Sequence, residues 1–397
     1  MDNFITTKLL SFSVSIERFA KKELLSFHRP FRRPSRKPDI SLSAGDPDFN
    51  QPKFIADAVA KAILDGYTHY VFDGDSEFKE EIAKYYGKYG VKVDSQSQVL
   101  LTSGGSPAIF RILGAFVNPG DQVIILDPTF QVYTRCIQYF GGEVVRAPMV
   151  KNEDGYFRTS IENIEKAITD RTKMLIICNP DNPTGCVYTE DELKQIAELA
   201  IKHDFLVMSD EIYTEFIWCG RRHVTIMSIP GMEERSIVVM SFSKMFAWTG
   251  LRVGFIISSP EIISLIKRVP MGVCSIPVPI QRAGIVALRE GWDFVEMMRR
   301  EYLKRVEFCV KRLNEIPAIH CVKPEGTFYV FPDISETNLK SRDYCEKLLE
   351  AEGVSVVPGS NYGDMGEGHI RLALVKPLDV LEDALNRIER FTRKIIG

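Results

Sequence analysis

The stretch Ser241-Phe242-Ser243-Lys244-Met245-Phe246-Ala247-Trp248-Thr249-Gly250-Leu251-Arg252-Val253-Gly254 gathers the groups that a covalent amine chemistry needs. It holds one lysine, with two serines ahead of it and an arginine eight residues after it. A permanent cation near a lysine disfavours the ammonium form and frees the amine to attack a carbonyl carbon. Hydroxyls and a guanidinium together also make a phosphate site. An aldehyde cofactor that carries a phosphate, pyridoxal 5'-phosphate, would use all of these groups at once: Lys244 for a Schiff base, and Ser241, Ser243 and Arg252 for the phosphate. An isolated lysine in a loop is more often merely solvated, and the elements around this one decide between the two.

Short β-branched runs at 236–240 and 253–258 flank the stretch and read as buried strands, which makes the lysine segment a loop between them. Similar runs at 98–102, 122–126, 143–147, 173–178 and 205–209 alternate with helical patterns, such as 189–203, where Thr189 and Glu192 have capping-box spacing. Repeated strand–helix alternation predicts an α/β fold: a large domain with a mostly parallel seven-stranded sheet covered by helices. Ligands of such sheets sit at the carboxyl ends of the strands, so the residues just past each strand are the candidates.

After the first of these strands, Gly104-Gly105-Ser106-Pro107 opens a helix; its free N–H groups suit an anion, and an ordinary strand-to-helix turn has the same pattern. After the second, Asp127-Pro128-Thr129-Phe130 puts an aromatic ring at a helix start, for ring stacking or for core packing. Asn179-Pro180-Asp181-Asn182-Pro183-Thr184-Gly185 follows the strand at 173–178, and its two X-Pro steps fix an extended turn in which the Asn182 amide is held. Asp210 follows the strand at 205–209, where a buried carboxylate needs a partner: a helix N-terminus or a protonated ring nitrogen. Tyr213 stands three residues on, and Glu211 reads as structural. Upstream, in the turn Gly45-Asp46-Pro47-Asp48-Phe49, Gly45 would let the backbone approach a ligand, and a plain tight turn is the alternative.

Past residue 258 the alternation stops. Residues 279–314 read as one long helix or two joined near Gly291. The remainder, including a turn at 358–363, the strand His369-Ile370-Arg371-Leu372-Ala373-Leu374 and a last helix from Leu378, predicts a smaller α+β domain. Within that apolar strand Arg371 is either a carboxylate receptor or one half of a structural ion pair. The expected division is 1–50, an N-terminal arm and part of the small domain; 51–287, the large cofactor-binding domain; and 288–397, the small C-terminal domain.

Bulk properties narrow the classes. The chain has 397 residues, 26% of them charged, and a net charge of −3, which gives no ground for a nucleic-acid binder. One basic cluster, Arg29, Arg32, Arg33, Arg36 and Lys37, is interleaved with prolines and reads as a solvated arm, or else as a phosphate patch. Eight scattered cysteines without a C-x-x-C pair fit reduced thiols in a cytoplasmic protein, and the six histidines show no ligand spacing, so no metal is expected. The apolar run at 9–16 lacks the features of a secretory signal, and no apolar stretch is long enough to span a membrane.

The pattern S-x-S-K-x-x-x-x-x-G-x-R-x-G, preceded by N-P-x-N-P-T-G and followed by P-G-S-x-Y-G and H-I-R, resembles the class I/II aminotransferases, the aspartate aminotransferase-like enzymes of fold type I. The matching motifs run in order from Gly45 to Arg371, nearly the whole chain. The resemblance implies pyridoxal 5'-phosphate on Lys244, with its phosphate among Gly104, Gly105, Ser106, Ser241, Ser243 and Arg252. It implies Phe130 stacked on the ring, Asn182 and Tyr213 at the ring oxygen, and Asp210 at the ring nitrogen. Lys244, Asp210 and Tyr213 would be catalytic, and Gly45, Asn182 and Arg371 would bind the substrate, with Arg371 on its α-carboxylate. A loop tyrosine would reach the cofactor phosphate of a partner subunit, which implies a homodimer. Family spacing puts that tyrosine five residues before the loop glycine; Tyr70 stands four before Gly74, so the match assumes a one-residue deletion.

The implied activity moves an amino group from an L-amino acid to a 2-oxo acid, by family habit 2-oxoglutarate, in a ping-pong reaction. A lyase on the same scaffold, β-eliminating from a sulfur amino acid, is the runner-up, and a non-catalytic cofactor-binding sensor is a third reading. Dicarboxylate-specific relatives can carry an arginine near 272–281; here none stands before Arg282.

Overall fold

The computed structural model describes residues 36–270 and 276–397. The run at 9–16, the basic residues Arg29, Arg32 and Arg33, and Cys274 lie outside the described residues.

Seven strands form the central sheet, in the order Val99–Thr102, Gly254–Ile257, Ser236–Ser241, Leu206–Asp210, Thr172–Cys178, Gln122–Asp127 and Glu143–Pro148. Gly254–Ile257 runs antiparallel to both of its neighbours, and the other pairings are parallel. The strands read as continuous apolar runs because both faces are covered. Alternate residues enter two different cores: Ile124, Leu175, Ile177, Val238 and Met240 pack on one side of the sheet, and Val123, Ile125, Met174, Ile176, Ile237 and Val239 on the other. The helix Glu190–Lys202 forms where the capping box placed it, with Thr189 Oγ1 accepting from Glu192 N at 3.1 Å and Glu192 Oε2 accepting from Thr189 N at 2.7 Å.

A third core holds the rest. The strand Ile40–Ser41 pairs in parallel with Val354–Ser355, and Ile40 and Leu42 pack with Leu348, Ile370, Leu372, Leu385 and Phe391. A three-stranded sheet of Tyr329–Val330, Ile370–Ala373 and Val357–Pro358 carries Arg371. The stretch 279–314 is two helices, Val278–Glu290 and Trp292–Leu313, which meet at Gly291. The second passes from one core to the other: Phe294, Val295, Met298 and Tyr302 belong to the large body, and Val306, Cys309 and Leu313 to the small one. The change of core falls inside this helix, between Tyr302 and Val306.

Two local readings are corrected. Lys244 does not sit in a loop; it lies on a single helical turn, Phe242–Met245, opened by Ser241 as the cap. The sequence reading also overlooked a hairpin of Val150–Lys151 and Phe157–Arg158, whose strands are two residues each and too short to show a period. Among the described residues, no helix is long and apolar enough to cross a membrane.

Candidate active site

The carboxyl ends of the strands converge because the ladder aligns them. Cys178 is level with Asp210, Asp210 with Val239, and Gly254 with both Ser241 and Thr102. The segments that follow these ends carry Asn182, Tyr213, Lys244 and the Gly104–Ser106 turn.

Lys244 Nζ donates to the carbonyl of Gly45, so the turn at 45–49 closes directly over the lysine. A Cβ built on Gly45 would stand 1.8 Å from the Tyr329 hydroxyl, which shows how tightly this turn is held. Asp210 is 2% exposed, with Oδ2 accepting from the Tyr133 hydroxyl at 2.8 Å and Oδ1 without a hydrogen-bond partner. Burial pushes its carboxyl up to about 6, against the Tyr133 hydrogen bond, which pulls it down. Its neighbour Glu211 is taken up elsewhere, accepting from Tyr86 at 3.0 Å and Thr225 at 2.8 Å and bonded to His223 at 2.9 Å.

An anion cradle lies beside the lysine. Gly104 has φ +106°, a region glycine enters without steric cost, and a Cβ there would meet Arg252 Nη2 at 2.4 Å. Gly105 and Ser106 open the helix Gly105–Phe116, whose first N–H groups receive no side-chain cap. Arg252 is fixed against this turn by a bond from Nη1 to the Thr249 carbonyl at 2.7 Å. Ser241 donates to the Val253 carbonyl at 2.8 Å and accepts from Ser243 N at 3.1 Å, so it shapes the turn as well as facing the cradle. The Arg252 guanidinium and the first N–H groups of the helix Gly105–Phe116 thus meet at one place, with no acidic partner bonded to Arg252 among the described residues.

A second cation stands opposite. Arg371 is 5% exposed, and no carboxylate among the described residues forms an ion pair with it. Nη1 donates to Asn182 Oδ1 at 3.0 Å, Nη2 donates to the Ser43 carbonyl, and Nε has no partner. The guanidinium lies 4.2 Å from the Tyr329 ring centre and 5.3 Å from that of Tyr362. Tyr213 shares a 3.0 Å hydrogen bond with the Tyr329 hydroxyl and is held protonated by burial.

The structure therefore brings together Gly45, Asn182, Tyr213, Lys244, Asp210 and Arg371, and sets Gly104, Gly105, Ser106, Ser241, Ser243 and Arg252 in a neighbouring cradle. Phe130 is half-buried, with its ring centre 5.8 Å from that of Tyr133 and nearly perpendicular to it. Tyr70 is not drawn into the site within this chain; it is 71% exposed, beside Phe72 at 6.1 Å. Sequence reasoning missed Tyr133 and Tyr329. Tyr133 offered only its place after Phe130, and Tyr329 has the local pattern of an ordinary strand aromatic.

The chain is similar to known proteins along most of its length. Residues 37–388 match the family model described as aminotransferase class I and II. The chain is 38% identical to an aromatic-amino-acid aminotransferase of Thermococcus litoralis, over 89% of this chain and 92% of that one. It is 39% identical to an aspartate aminotransferase of Pyrococcus abyssi, with the same coverage. The crystal structure of an aromatic aminotransferase from Pyrococcus horikoshii superposes with a TM-score of 0.86 at 38% identity, covering 89% of this chain and 95% of that one. The chain belongs to the class I and II aminotransferases.

Proposed function

We propose that this transaminase holds pyridoxal 5'-phosphate on Lys244 and moves an amino group from an L-amino acid to a 2-oxo acid, 2-oxoglutarate among them, in two alternating half-reactions. The observation that carries this reading is the unpartnered, buried Oδ1 of Asp210 within the electrostatic reach of Lys244. A carboxylate oxygen left without a donor is costly, and a protonated pyridine nitrogen satisfies it. The cradle of Gly104, Gly105, Ser106, Ser243 and Arg252 fits a phosphate, with Ser241 shaping the turn, and Phe130 offers a half-exposed ring face. When bound, the cofactor supplies an aldehyde for the amino group and an electron-poor ring that accepts an electron pair from the substrate carbon.

The chain's own residues do the rest. Arg371 binds the α-carboxylate through its planar fork and so fixes which bond at Cα faces the ring. Gly45 and Asn182 frame that carboxylate, and Tyr213 and Asn182 offer polar atoms to a ring oxygen. Lys244, once its amine is free, would take the proton from Cα as general base and give it to the cofactor's aldehyde carbon as general acid. The two exchanges share one site, which supports the ping-pong order.

A second copy of this chain is part of the reading. Leu64, Tyr70 and Phe72 are 86%, 71% and 79% exposed, an apolar surface that a homodimer would cover, with Tyr70 reaching the partner's cradle. An active monomer in sedimentation would refute this. Arg282 is engaged by Asp75 at 3.1 Å and Glu77 at 2.7 Å within its own chain, so it does not serve as a free receptor for a second substrate carboxylate.

The test is the absorption spectrum of the loaded protein against a panel of amino acids. A visible band bleached by some donors and restored by 2-oxoglutarate supports transamination and names the donor class. A band that persists while pyruvate and ammonia accumulate shows the lyase instead. Arg371→Leu should raise KM for every donor by roughly 10²-fold, as expected for loss of a bidentate charge-assisted pair, while Arg371→Lys, lacking the fork, should recover only part of it. An unchanged KM in Arg371→Leu would remove Arg371 from the site.

A further inference from the structure

Residues 127–130 and 362–365 are far apart in the sequence yet are bonded at several points. Thr129 N donates to the Tyr362 carbonyl at 2.9 Å. Asp364 N and Met365 N donate to the two oxygens of Asp127 at 3.0 and 3.1 Å. Arg146 reaches the Tyr362 carbonyl at 3.4 Å and stands 3.7 Å from Asp127. Asp127 is 2% exposed, and its carboxyl is pushed up by burial, with Arg146 and the two N–H groups acting the other way. The turn is shaped around this carboxylate: Gly363 has φ +139°, and a Cβ there would lie 1.9 Å from Asp127 Oδ1.

Both ends of this clasp lead into the site. On the large body the chain runs from Asp127 to Phe130. On the small body the Tyr362 ring lies 5.3 Å from the Arg371 guanidinium, and Val357, just ahead of the turn, is level with Arg371 in the sheet. Burying a carboxylate is costly when its donors are neutral N–H groups and its nearest cation stands off at 3.7 Å. A hydrophobic contact would join the two bodies without that cost, but it would not fix the turn in one position.

We propose that Asp127 is a positioning residue for carboxylate recognition: by clasping the turn at 362–365 it sets Tyr362, and through Tyr362 the plane of the Arg371 guanidinium. This rests on Arg371 being the carboxylate receptor. The clasp holds the Tyr362 turn directly and reaches the cofactor site only through Phe130, so its effect on carboxylate affinity should exceed its effect on cofactor affinity.

The experiment uses the loaded full-length enzyme with Asp127→Asn, Gly363→Ala, Arg371→Leu and the Asp127→Asn/Arg371→Leu pair. Three quantities are read: donor KM and kcat, the dissociation constant of 3-phenylpropionate as a non-reacting carboxylate, and the dissociation constant of the cofactor. Asp127→Asn and Gly363→Ala should each raise donor KM and the 3-phenylpropionate constant about tenfold, the size of one charge-assisted hydrogen bond, with a clearly smaller change in cofactor affinity. In the Arg371→Leu background, Asp127→Asn should add less than about twofold, because coupled residues are not additive. Should Gly363→Ala fail to fold, the Asp127→Asn pair decides. Wild-type carboxylate affinity in Asp127→Asn, equal weakening of cofactor and carboxylate, or full additivity in the pair would each overturn the proposal. An Arg371→Leu variant that binds 3-phenylpropionate normally would instead overturn the functional reading beneath it.

Discussion

Lys244→Ala lowers the rate of the donor half-reaction by at least about 10⁴-fold, the upper range for losing a general acid–base group, and also prevents a covalent hold on the cofactor. The expected loss is this large because the lysine serves at both stages. The Gly45 carbonyl accepts a hydrogen bond from Lys244 Nζ, and a substrate that displaces this contact leaves the amine poised beside Cα. Because Lys244 lies on a single helical turn capped by Ser241, its removal leaves the backbone hydrogen bonds of that turn in place. Melting of the variant should therefore stay close to wild type. Single-turnover absorbance with excess donor is the measurement, and added methylamine or ethylamine should restore part of the rate. A folded variant that retains a tenth of wild-type activity would remove Lys244 from the chemistry.

Asp210→Asn has two effects of opposite sign. It lowers kcat by roughly 10³-fold, since the electrostatic partner of a cationic ring is lost. It also stabilises the cofactor-free protein at neutral pH. The Asp210 carboxyl is raised from 3.8 to about 6 in the fold. A carboxyl raised on folding supports stability fully below its unfolded value, and that support is lost as pH rises through the folded value. The loss across this window is on the order of 3 kcal/mol, two pH units of differential interaction. The variant carries no such titration, so its stability advantage should grow between pH 4 and pH 6 and then level off. Denaturation of cofactor-free protein at pH 4.5 and pH 7.5 measures it. Adding cofactor should reverse the order at pH 7.5, because a protonated ring nitrogen meets Oδ1 only in the wild type. Equal pH dependence of the two proteins would show that Asp210 is not a strained, waiting charge.

The sheet and the strand-end residues were legible because each signal is local. A β-branched run announces a strand, and the residue just past it is at the carboxyl edge whatever its distance from the others in sequence. The places of Asp210, Asn182 and Lys244 just past strands were read in that way, and their roles came from the family resemblance. Tyr329 was not found, because its meaning lies in contacts with Tyr213, 116 residues away, and with Arg371 on the next strand. Within its own stretch it shows only β-propensity. Asp127 was read as part of a turn leading to Phe130, and its partners at Asp364 and Met365 leave no periodic trace. The helical turn under Lys244 is four residues long, too short for a 3.6-residue period to be expressed.

The helix Trp292–Leu313 contributes side chains to both the large and the small core. Its hydrogen-bonded backbone is continuous across the change, so neither core can melt without exposing part of a helix that the other still holds. The two bodies therefore share one cooperative unit, and calorimetry should record a single heat-absorption peak whose van't Hoff and calorimetric enthalpies agree. A glycine placed near Tyr302 would weaken the helix at the crossing by about 1 kcal/mol beyond the lost side chain, and is the change most apt to split that peak in two.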